Sequence, residues 1–425
     1  MKKLTAVVVG FGSRGNAYAS YALDHPQELE IVGVADPNPI RTNAAAEKFH
    51  VPAENIYQTW QDLVAQPKMA DFAILSTQDN MHFEPALALI DKGYDLLLEK
   101  PMAPTPQQCK IITEAAEKKG VKVVVCHVLR FTPFWRTVKN AIDSGRLGKV
   151  VSIIGYENVG NLHQSHSYVR GNWRNTEESS CMIMAKCCHD MDILQWLIGK
   201  KCTQVQSFGS LSYFRRENQP AGAPDRCMDG CPVEESCPYS AYKLYLNNRG
   251  KFGPWFRSAA AKTIDDPTDE QVRQALETGP YGRCVYACDN DVVDHQVVNL
   301  QYEDGCTVSF TMNAFNEGGR AIHVYGTEGE LISKRDQTGV EIYSFATRQW
   351  ETVPVSYGGN EIPSGHGGGD TGIVVDYLRL LRGETPSNSI CDIRTSYENH
   401  ITGFAAEQSR LENRVVSIAE YEKSI

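Results

Sequence analysis

The spacing of hydrophobic residues divides the chain into two parts with different predicted architectures. In the first 127 residues, short apolar runs without polar alternation are separated by segments of helical periodicity, as in strands covered on both faces. The runs cover 4–10, 30–36, 71–77, 94–101 and 121–128. Strands that alternate with helices predict an α/β domain with a doubly wound parallel sheet over residues 1–127.

A different pattern follows residue 200, where apolar and polar residues alternate with a period of two. Residues 297–315 predict a hairpin with an Asp-Gly turn, and residues 322–334 predict another. A polar, cysteine-bearing insertion at about 215–290 interrupts this pattern, and two helices are predicted near the C-terminus. We therefore expect a second domain over residues 128–425.

Composition and charge limit the function classes that fit the chain. A length of 425 residues favours two domains, and the net charge of −10 argues against binding to nucleic acid or anionic membranes. No stretch approaches the roughly 20 apolar residues of a spanning helix. The 13 cysteines are scattered through apparent core segments, which is typical of a reducing compartment and predicts a cytoplasmic enzyme.

A glycine-rich motif follows the first apolar run. Gly10, Gly12 and Gly15 stand in GxGxxG spacing at the start of a predicted helix, and Asp36 ends the second apolar run about 20 residues later. This order is typical of a Rossmann domain, in which the pyrophosphate of a dinucleotide sits on the helix N-terminus. Asp36 would bond the adenosine ribose and repel a 2′-phosphate, which favours NAD over NADP, although Arg41 lies near it in the sequence.

The carboxyl ends of the parallel strands form the edge at which a dinucleotide binds. Strand ends at residues 76–79 and 99–101 therefore predict further contacts with the cofactor. The additional predicted cofactor-binding residues are Phe11, Ser13, Arg14, Ser76, Thr77, Gln78, His82, Glu99 and Lys100. Lys100, in the sequence EKP, would feel the nicotinamide cation, which lowers its pKa and suits it to exchange a proton with a substrate hydroxyl.

Several motifs taken together resemble the Gfo/Idh/MocA family, the relatives of glucose–fructose oxidoreductase and inositol dehydrogenase. They are VVVGFGSRG, VADPNPIR, LLLEKPMAPT, LRFTPFWRTVKNAIDSGRLGKVVSI and HDMDILQWLIG. The resemblance implies a Rossmann domain followed by an α+β domain with a large open, mostly antiparallel sheet, one face of which serves self-association. It also implies a homodimer or homotetramer that transfers hydride between NAD and a secondary hydroxyl of a sugar, cyclitol or glycoside.

The resemblance further implies which groups carry the chemistry. His189 matches the family's histidine beside the nicotinamide, but Ala185 stands where the family has an aspartate. His189 would accept the hydroxyl proton while Lys100 polarises the substrate oxygen, and Lys186 is a candidate for the third group. The alternative for His189 is a core histidine that is satisfied by a backbone carbonyl.

Two other function classes fit the same motifs. Some relatives use resident NAD to oxidise carbon 3 of a glycoside, eliminate the aglycone, add water and reduce again, so that the net reaction is that of a glycosidase. The missing aspartate and the additional histidines are compatible with that route. A non-catalytic, NAD-binding regulator is the third class, and the combination of Lys100 with His189 argues against it.

A polar and aromatic segment follows the first strand of the second domain, where relatives line the substrate pocket. Its predicted substrate-binding residues are His163, His166, Arg170, Trp173 and Arg174. An aromatic face would suit the ring of a polyhydroxylated ligand, and the other side chains would donate to hydroxyls or to an acidic group. The alternative is a hydrated surface loop.

Three cysteines of the insertion, Cys227, Cys231 and Cys237, lie close together in the sequence. Three thiolates in such proximity in a reducing compartment predict a structural zinc site that lacks one ligand. We expect Cys188 to supply it, because extended backbone at residues 186–189 would turn Cys188 away from His189 and toward a folded-over insertion. Three unlinked thiols or an iron–sulfur cluster are the alternatives.

Overall fold

The computed structural model describes residues 2–248, 250, 252–334, 337–355 and 365–425. Its first sheet has six parallel strands: β1 (Leu4–Val9), β2 (Leu29–Ala35), β3 (Ile56–Tyr57), β4 (Phe72–Leu75), β5 (Asp95–Leu98) and β6 (Val123–Val125). They lie in the order β3-β2-β1-β4-β5-β6, so the strand order reverses between β1 and β4. A doubly wound sheet binds its ligand at such a reversal.

Helices connect these strands, as the sequence predicts. They are α1 (Ser13–Ala19), α2 (Tyr21–Asp24), α3 (Pro39–Phe49), α4 (Trp60–Ala65), α5 (Phe83–Asp91) and α6 (Pro106–Lys119). The helices α3 and α6 each begin with proline at the first helical position, behind a side chain that caps the helix. The predicted parallel α/β domain is confirmed.

The second sheet comprises, within the described residues, nine strands: β7 (Val150–Asn158), β8 (Cys202–Ser210), β9 (His295–Tyr302), β10 (Thr307–Asn313), β11 (Gly319–Gly326), β12 (Gly329–Ser333), β13 (Gly339–Ser344), β14 (Gln349–Pro354) and β15 (Val416–Ser417). Their order is β14-β13-β12-β11-β7-β10-β9-β8-β15. Neighbouring strands run antiparallel, except that β7 and β10 are parallel. The mostly antiparallel sheet and both predicted hairpins are therefore confirmed.

The helices of the second half cover one face of this sheet and extend beyond it. They are α7 (Pro133–Asp143), α8 (Asn161–His163), α9 (Met182–Ala185), α10 (Cys188–Ile198), α11 (Gly253–Ala261), α12 (Asp269–Thr278), α13 (Gly369–Arg382), α14 (Ile393–Glu412) and α15 (Ile418–Ser424). Helix α14 packs on β8 and on α10. The opposite face of the sheet leaves Tyr156, Phe208 and Val297 exposed.

Helix α13 packs on the first sheet, although it lies near the C-terminus of the chain. Its Tyr377 ring meets Phe72 edge to face at 5.3 Å, and the Tyr377 hydroxyl donates to the Lys122 carbonyl at 3.1 Å. Ile373 and Leu378 join the same apolar core. This packing carries Asp370, in the first turn of α13, to the dinucleotide domain.

The insertion between β8 and β9 has an apolar core of its own. Leu244, Tyr245, Phe256, Val272 and Leu276 are buried together in it. The sequence predicts a polar insertion, whereas in the structure α11, α12 and a π-helical turn at Tyr242–Leu246 close over these apolar side chains. None of the helices in the described part of the chain is both apolar enough and long enough to cross a membrane.

Candidate functional site

The three glycines of the motif occupy different environments at the reversal between β1 and β4. Gly10 has φ +88°, and a side chain there would lie 2.6 Å from the Ser76 carbonyl oxygen. A Cβ on Gly15 would lie 2.2 Å from the Gly10 carbonyl oxygen. A Cβ on Gly12 would meet only the Arg41 guanidinium, at 3.8 Å. Close packing within the protein excludes a side chain at Gly10 and at Gly15. At Gly12 the missing side chain leaves open space, so a ligand can approach the protein backbone there.

Asp36 holds the turn beside this space. It accepts hydrogen bonds from the backbone N–H of Phe11 at 2.8 Å and of Asn38 at 2.9 Å. The Arg41 guanidinium lies 3.6 Å from the same carboxylate. The predicted acid and the nearby arginine are therefore adjacent in space. The Phe11 side chain is buried, and Ser13 is exposed at the first position of α1, whose N-terminus no side chain caps.

Arg14 and Glu99 form an ion-pair network that reaches α13. Arg14 donates to Glu99 at 2.8 Å and to both carboxylate oxygens of Asp370, at 2.9 and 2.6 Å. Glu99 also accepts from the Tyr18 hydroxyl and from the backbone N–H of Lys100. Burial opposes the charge on Glu99, but Arg14 and Lys100 outweigh it and lower the pKa of Glu99. Both side chains have partners within the protein, where Glu99 holds Lys100, and the contact of Arg14 and Glu99 with the cofactor stays a prediction.

The end of β4 is tied to the EKP segment by His82. Its buried ring lies 2.7 Å from the Pro101 carbonyl oxygen and 3.2 Å from that of Thr77. Ser76 donates from its hydroxyl to the Gly10 carbonyl at 2.8 Å. His82 was predicted as a cofactor contact, but its fully buried ring serves to hold the two strand ends together. Thr77 is partly exposed and Gln78 is exposed at this edge.

Lys100 reaches across from the first domain to the second. Its ammonium donates to the Ala185 carbonyl at 3.2 Å, immediately before the segment that carries Lys186 and His189. Burial opposes the charge, but Cys188, Glu99 and Asp79 outweigh it and raise the pKa of Lys100. Lys100 is therefore a stable ammonium, which can donate hydrogen bonds but does not readily act as a base.

His189 lies in a group of buried histidines, two of which, His127 and His400, interact electrostatically with Lys100. Its ring is 6.3 Å from the ring of His127, which in turn lies 5.8 Å from that of His400. Burial lowers the pKa of His127 to about 4, so this ring is neutral, and neither of its nitrogens has a hydrogen-bond partner within the described residues. Sequence reasoning missed His127, because a histidine after a buried strand carries no signal of its own.

Lys186 belongs to a charged network on the second domain. Its ammonium lies 3.4 Å from Glu157, which also pairs with Arg320 at 2.6 Å. Arg320 in turn donates to Asp190 at 2.7 Å. Burial, followed by the Glu157 charge, raises the pKa of Asp190 to about 6 against the opposing effect of Arg320. In this network Lys186 is a partner of Glu157. Its role as a third catalytic group stays a prediction.

Trp173 connects the two domains at the end of β4. Its indole N–H donates to the Asp79 carboxylate at 3.0 Å, and the Ser179 hydroxyl donates to the same oxygen at 3.1 Å. Asp79 is buried and contributes to the raised pKa of Lys100. Tyr168 packs 6.2 Å from the Trp173 ring. We call the region formed by Lys100, Asp79, Trp173 and His189 the domain junction.

The other predicted substrate residues contact the insertion, although His163 also lies 5.6 Å from the Tyr168 ring, beside Trp173. His166 is buried against Phe256, with ring centroids 4.0 Å apart, and burial lowers its pKa to about 3. His163 packs 5.2 Å from the Trp255 ring. The side chain of Arg174 pairs with acidic residues near the surface, among them Asp289 at 2.9 Å. The aromatic core and the carboxylates of this region already satisfy these side chains, and the substrate role of His166 and Arg174 stays a prediction.

Arg170 and Cys188 lie in different parts of the second domain. Arg170 is fully buried and faces the cysteines of the insertion, and its role as a substrate residue stays a prediction. Residues 186–189 are not extended, since α10 begins at Cys188. Burial raises the pKa of Cys188 to about 12 against the opposing charge of Lys100, which places Cys188 at the domain junction. The prediction that Cys188 completes a zinc site with the insertion is therefore wrong.

One group of side chains in the described residues has the spacing of metal ligands: His127, Asp192 and Cys391. Asp192 is already occupied, since it receives two bonds from Arg130, at 2.8 and 2.6 Å, and a third from Asn399 at 2.7 Å. Arg130 and His127 lower the pKa of Asp192 against the effect of burial. This group is a buried ion pair that anchors α10, and the arginine takes the place a metal would need.

Comparison with known proteins agrees with this geometry. Residues 4–127 match the oxidoreductase family with an NAD-binding Rossmann fold, and residues 139–418 match the C-terminal alpha/beta domain of the same family. The oxidoreductase YteT of Bacillus subtilis is 26% identical over 376 residues, 84% of this chain and 83% of that protein. Inositol 2-dehydrogenase of Salmonella typhimurium is 26% identical over 51% of this chain and 59% of its own length.

Two solved structures share the fold at low identity. Levoglucosan dehydrogenase in complex with NADH and L-sorbose has a TM-score of 0.72 at 17% identity, over 98% of this chain and 99% of that chain. An oxidoreductase from Agrobacterium radiobacter in complex with NAD+, L-tartaric acid and magnesium has a TM-score of 0.70 at 14% identity, over 99% of both chains. The two family matches cover most of the sequence, and the chain is an NAD-binding oxidoreductase of the Gfo/Idh/MocA family.

Proposed function

We propose that this protein is an NAD-dependent dehydrogenase that oxidises a secondary hydroxyl of a sugar, cyclitol or glycoside. The observation that carries the proposal is the bond from the Lys100 ammonium to the Ala185 carbonyl. It joins the EKP segment of the dinucleotide domain to the segment that leads into His189. The proposal is supported by two similar proteins, inositol 2-dehydrogenase and levoglucosan dehydrogenase, whose names specify a cyclitol and a sugar substrate.

The proposed mechanism uses one proton acceptor and one hydrogen-bond donor. Bound NAD supplies the hydride acceptor. The carbinol C–H bond breaks with its electron pair, the hydroxyl proton passes to His189, and a carbonyl group forms. Lys100 donates to the substrate oxygen throughout, and the resulting electrostatic stabilisation is greatest when negative charge develops there. Asp79 and Glu99 keep Lys100 charged, which supports this division of roles.

Trp173 would form the wall of the substrate site. Its N–H is committed to Asp79, so the ring is held in one orientation while its face can pack on the apolar side of a sugar ring. Tyr168, buried next to it, would support that orientation. Of the five residues first predicted for the substrate, Trp173 is the one whose contacts support the role.

The cofactor proposed is NAD rather than NADP. Asp36 stands beside the open space at Gly12 and carries a negative charge that would repel a 2′-phosphate. Arg41 lies 3.6 Å from Asp36 and partly compensates that charge. The preference therefore depends on the balance between these two side chains.

Self-association through the second sheet is proposed as well, as a homodimer or homotetramer. The exposed apolar side chains Tyr156, Phe208 and Val297 on its outer face support this arrangement. Light scattering on the purified protein tests it, and Tyr156→Glu should lower the measured mass. A monomeric mass for the unmodified protein would refute the arrangement.

A panel of sugars, cyclitols and aryl glycosides tests the function. Each compound is incubated with NAD, and both NADH and free aglycone are measured. A dehydrogenase accumulates NADH in proportion to the substrate consumed. Release of aglycone without net NADH, with exchange of substrate hydrogen into solvent, would instead support the redox glycosidase. NAD binding without either product would support a regulator and would refute the proposal.

A further inference from the structure

Four cysteines of the insertion line one small cavity: Cys227, Cys231, Cys237 and Cys284. They come from two loops that are far apart in sequence. Two backbone bonds join these loops, from Cys227 N–H to the Gly282 carbonyl at 2.9 Å and from Cys284 N–H to the Asp225 carbonyl at 2.8 Å. All four thiols are free. The fold therefore brings Cys284, rather than Cys188, to the three cysteines that the sequence places together.

The same cavity receives a buried positive charge. The Arg170 side chain is fully buried and lines the cavity with the cysteines. It donates to the Arg283 and Tyr239 carbonyls, both at 2.7 Å, and its Nη2 lies 3.6 Å from the Cys227 sulfur. Its Nη1 is buried beside the Tyr245 hydroxyl without a well-aligned hydrogen bond, and no carboxylate in the described residues forms an ion pair with Arg170.

Such an arginine is unfavourable unless an anion accompanies it. Moving an unpaired charge out of water is strongly unfavourable even after the protein relaxes around it. Carbonyl dipoles satisfy part of the Arg170 guanidinium but carry no net charge. The other polar groups near it are the neutral Tyr245 hydroxyl and thiols, which are neutral unless a metal binds them as thiolates, and Glu234, which lines the same cavity, accepts from the Ser240 hydroxyl instead. Four metal-bound thiolates would supply the missing negative charge.

We propose that Cys227, Cys231, Cys237 and Cys284 bind an iron–sulfur cluster, with Arg170 as its charge partner. Around a single zinc ion, four sulfurs at the usual bond length lie only about 3.8 Å from one another. No three of these four sulfurs lie within 4.8 Å of one another. Iron–sulfur clusters distribute four cysteines over two or more irons and so need a wider set of thiols. Thiols set farther apart than a single zinc ion requires favour the cluster over zinc.

The cluster also has a structural consequence for the domain junction. Arg170 ends the π-helical segment Gln164–Arg170, and three residues later Trp173 donates to Asp79. Binding of a cluster would fix Arg170 and so fix the position of Trp173. This second step rests on the proposed dehydrogenase function, whereas the presence of the cluster does not.

Metal analysis of the whole chain tests the cluster directly. Protein purified without exposure to oxygen should contain iron and acid-labile sulfide in equal amounts, about two or about four of each per chain. It should absorb visible light and give a paramagnetic resonance signal in one of its two redox states. Zinc without iron, or no metal at all, would overturn the assignment. None of these readouts requires a known substrate.

Two variants and a matched control test the ligand set. Cys237→Ser and Cys284→Ser should each lose most of the iron. Cys288→Ser should keep it, because Cys288 lies outside the cavity lining and donates instead to the Cys284 carbonyl at 3.3 Å. Loss of iron from Cys288→Ser, or its retention in both other variants, would overturn the four-cysteine assignment.

Activity and cofactor binding then separate the two proposals. In the Cys284→Ser variant, KM for the substrate should rise at least several-fold, because Trp173 is no longer fixed through Arg170 and the cluster. The affinity for NAD should stay unchanged, because the glycine motif does not depend on the cluster. An unchanged KM would overturn the effect of the cluster on Trp173. If no substrate is found in the panel, the proposed function fails, but the iron and sulfide content still decides the cluster.

Discussion

Replacing Lys100 with methionine should separate catalysis from folding. The side chain makes one hydrogen bond across the domain junction, to the Ala185 carbonyl at 3.2 Å. Loss of a hydrogen bond to a charged group costs about 1.5–3 kcal/mol, and relief of the buried charge offsets part of that cost. We therefore expect the free energy of unfolding to fall by about 2 kcal/mol or less.

The expected loss of rate is larger. A positioned proton-transfer or oxyanion group contributes roughly 10²–10⁴-fold, or about 3–5 kcal/mol of transition-state stabilisation. Lys100→Met should lower kcat/KM by that factor, while the dissociation constant for NAD changes by less than about three-fold, a difference below roughly 1 kcal/mol. Steady-state NADH production, a urea unfolding curve and NAD titration measure the three quantities.

Lys68→Met is the matched control. The Lys68 ammonium also donates to a backbone carbonyl, that of Gly93 at 2.7 Å, but on the exposed side of the same domain. This variant should keep its activity. If Lys100→Met retained kcat/KM within a few-fold of the unmodified protein, or if it lost NAD binding altogether, the catalytic role of the ammonium would be refuted.

Three further outcomes follow from the glycine motif, the ribose acid and the buried histidines. Gly12→Ala should lose NAD binding in a titration but keep its unfolding midpoint. Gly15→Ala should lose NAD binding and also unfold at a lower midpoint, since its Cβ would lie 2.2 Å from a carbonyl oxygen. Equal losses of stability in the two variants would contradict this. Asp36→Asn should raise the NADP-to-NAD ratio of kcat/KM about ten-fold or more. It removes a charge whose repulsion of a 2′-phosphate is about 1 kcal/mol or more, and it frees Arg41 to bind that phosphate. An unchanged ratio would exclude Asp36 from the ribose site. The pKa of His166 falls from 6.5 to about 3 on folding, so the unfolded chain binds the proton first, and stability is lost by about 1.4 kcal/mol per pH unit as pH drops below 6.5. His166→Phe should reduce that loss in urea unfolding at neutral pH and at about pH 5, and an unaltered slope would show that other groups cause it.

The sequence by itself determined the two domains' architectures and the dinucleotide motif. Unbroken apolar runs separated by helical segments predicted the parallel sheet, and period-two alternation predicted the hairpin of β9 and β10. The glycine spacing is equally local, because the steric demands on Gly10 and Gly15 arise within a single strand–turn–helix unit and its neighbouring strand. Such signals depend on contiguous backbone, so they can be recognised without knowledge of the tertiary packing.

Only the tertiary structure decided which polar side chains face the reaction and which lie in a core. In sequence, His166 and Trp173 look equally suited to a sugar, yet one is stacked against Phe256 and the other bonds Asp79 in the opposite domain. Arg14 meets Asp370, 356 residues away. These partners are chosen by long-range packing, in which the burial of a charge depends on what another segment places beside it.

The cysteines illustrate the same limit. Their proximity in the sequence indicated a metal site, but the proposed fourth ligand depended on whether residues near Cys188 were extended or helical, and on which loop folds over the insertion. Helix α10 turns Cys188 toward Lys100, and the backbone bonds between the two loops bring Cys284 to Cys227. Spacing along a chain indicates that thiols are close, whereas completion of a ligand set requires contact between distant segments, which the fold alone determines.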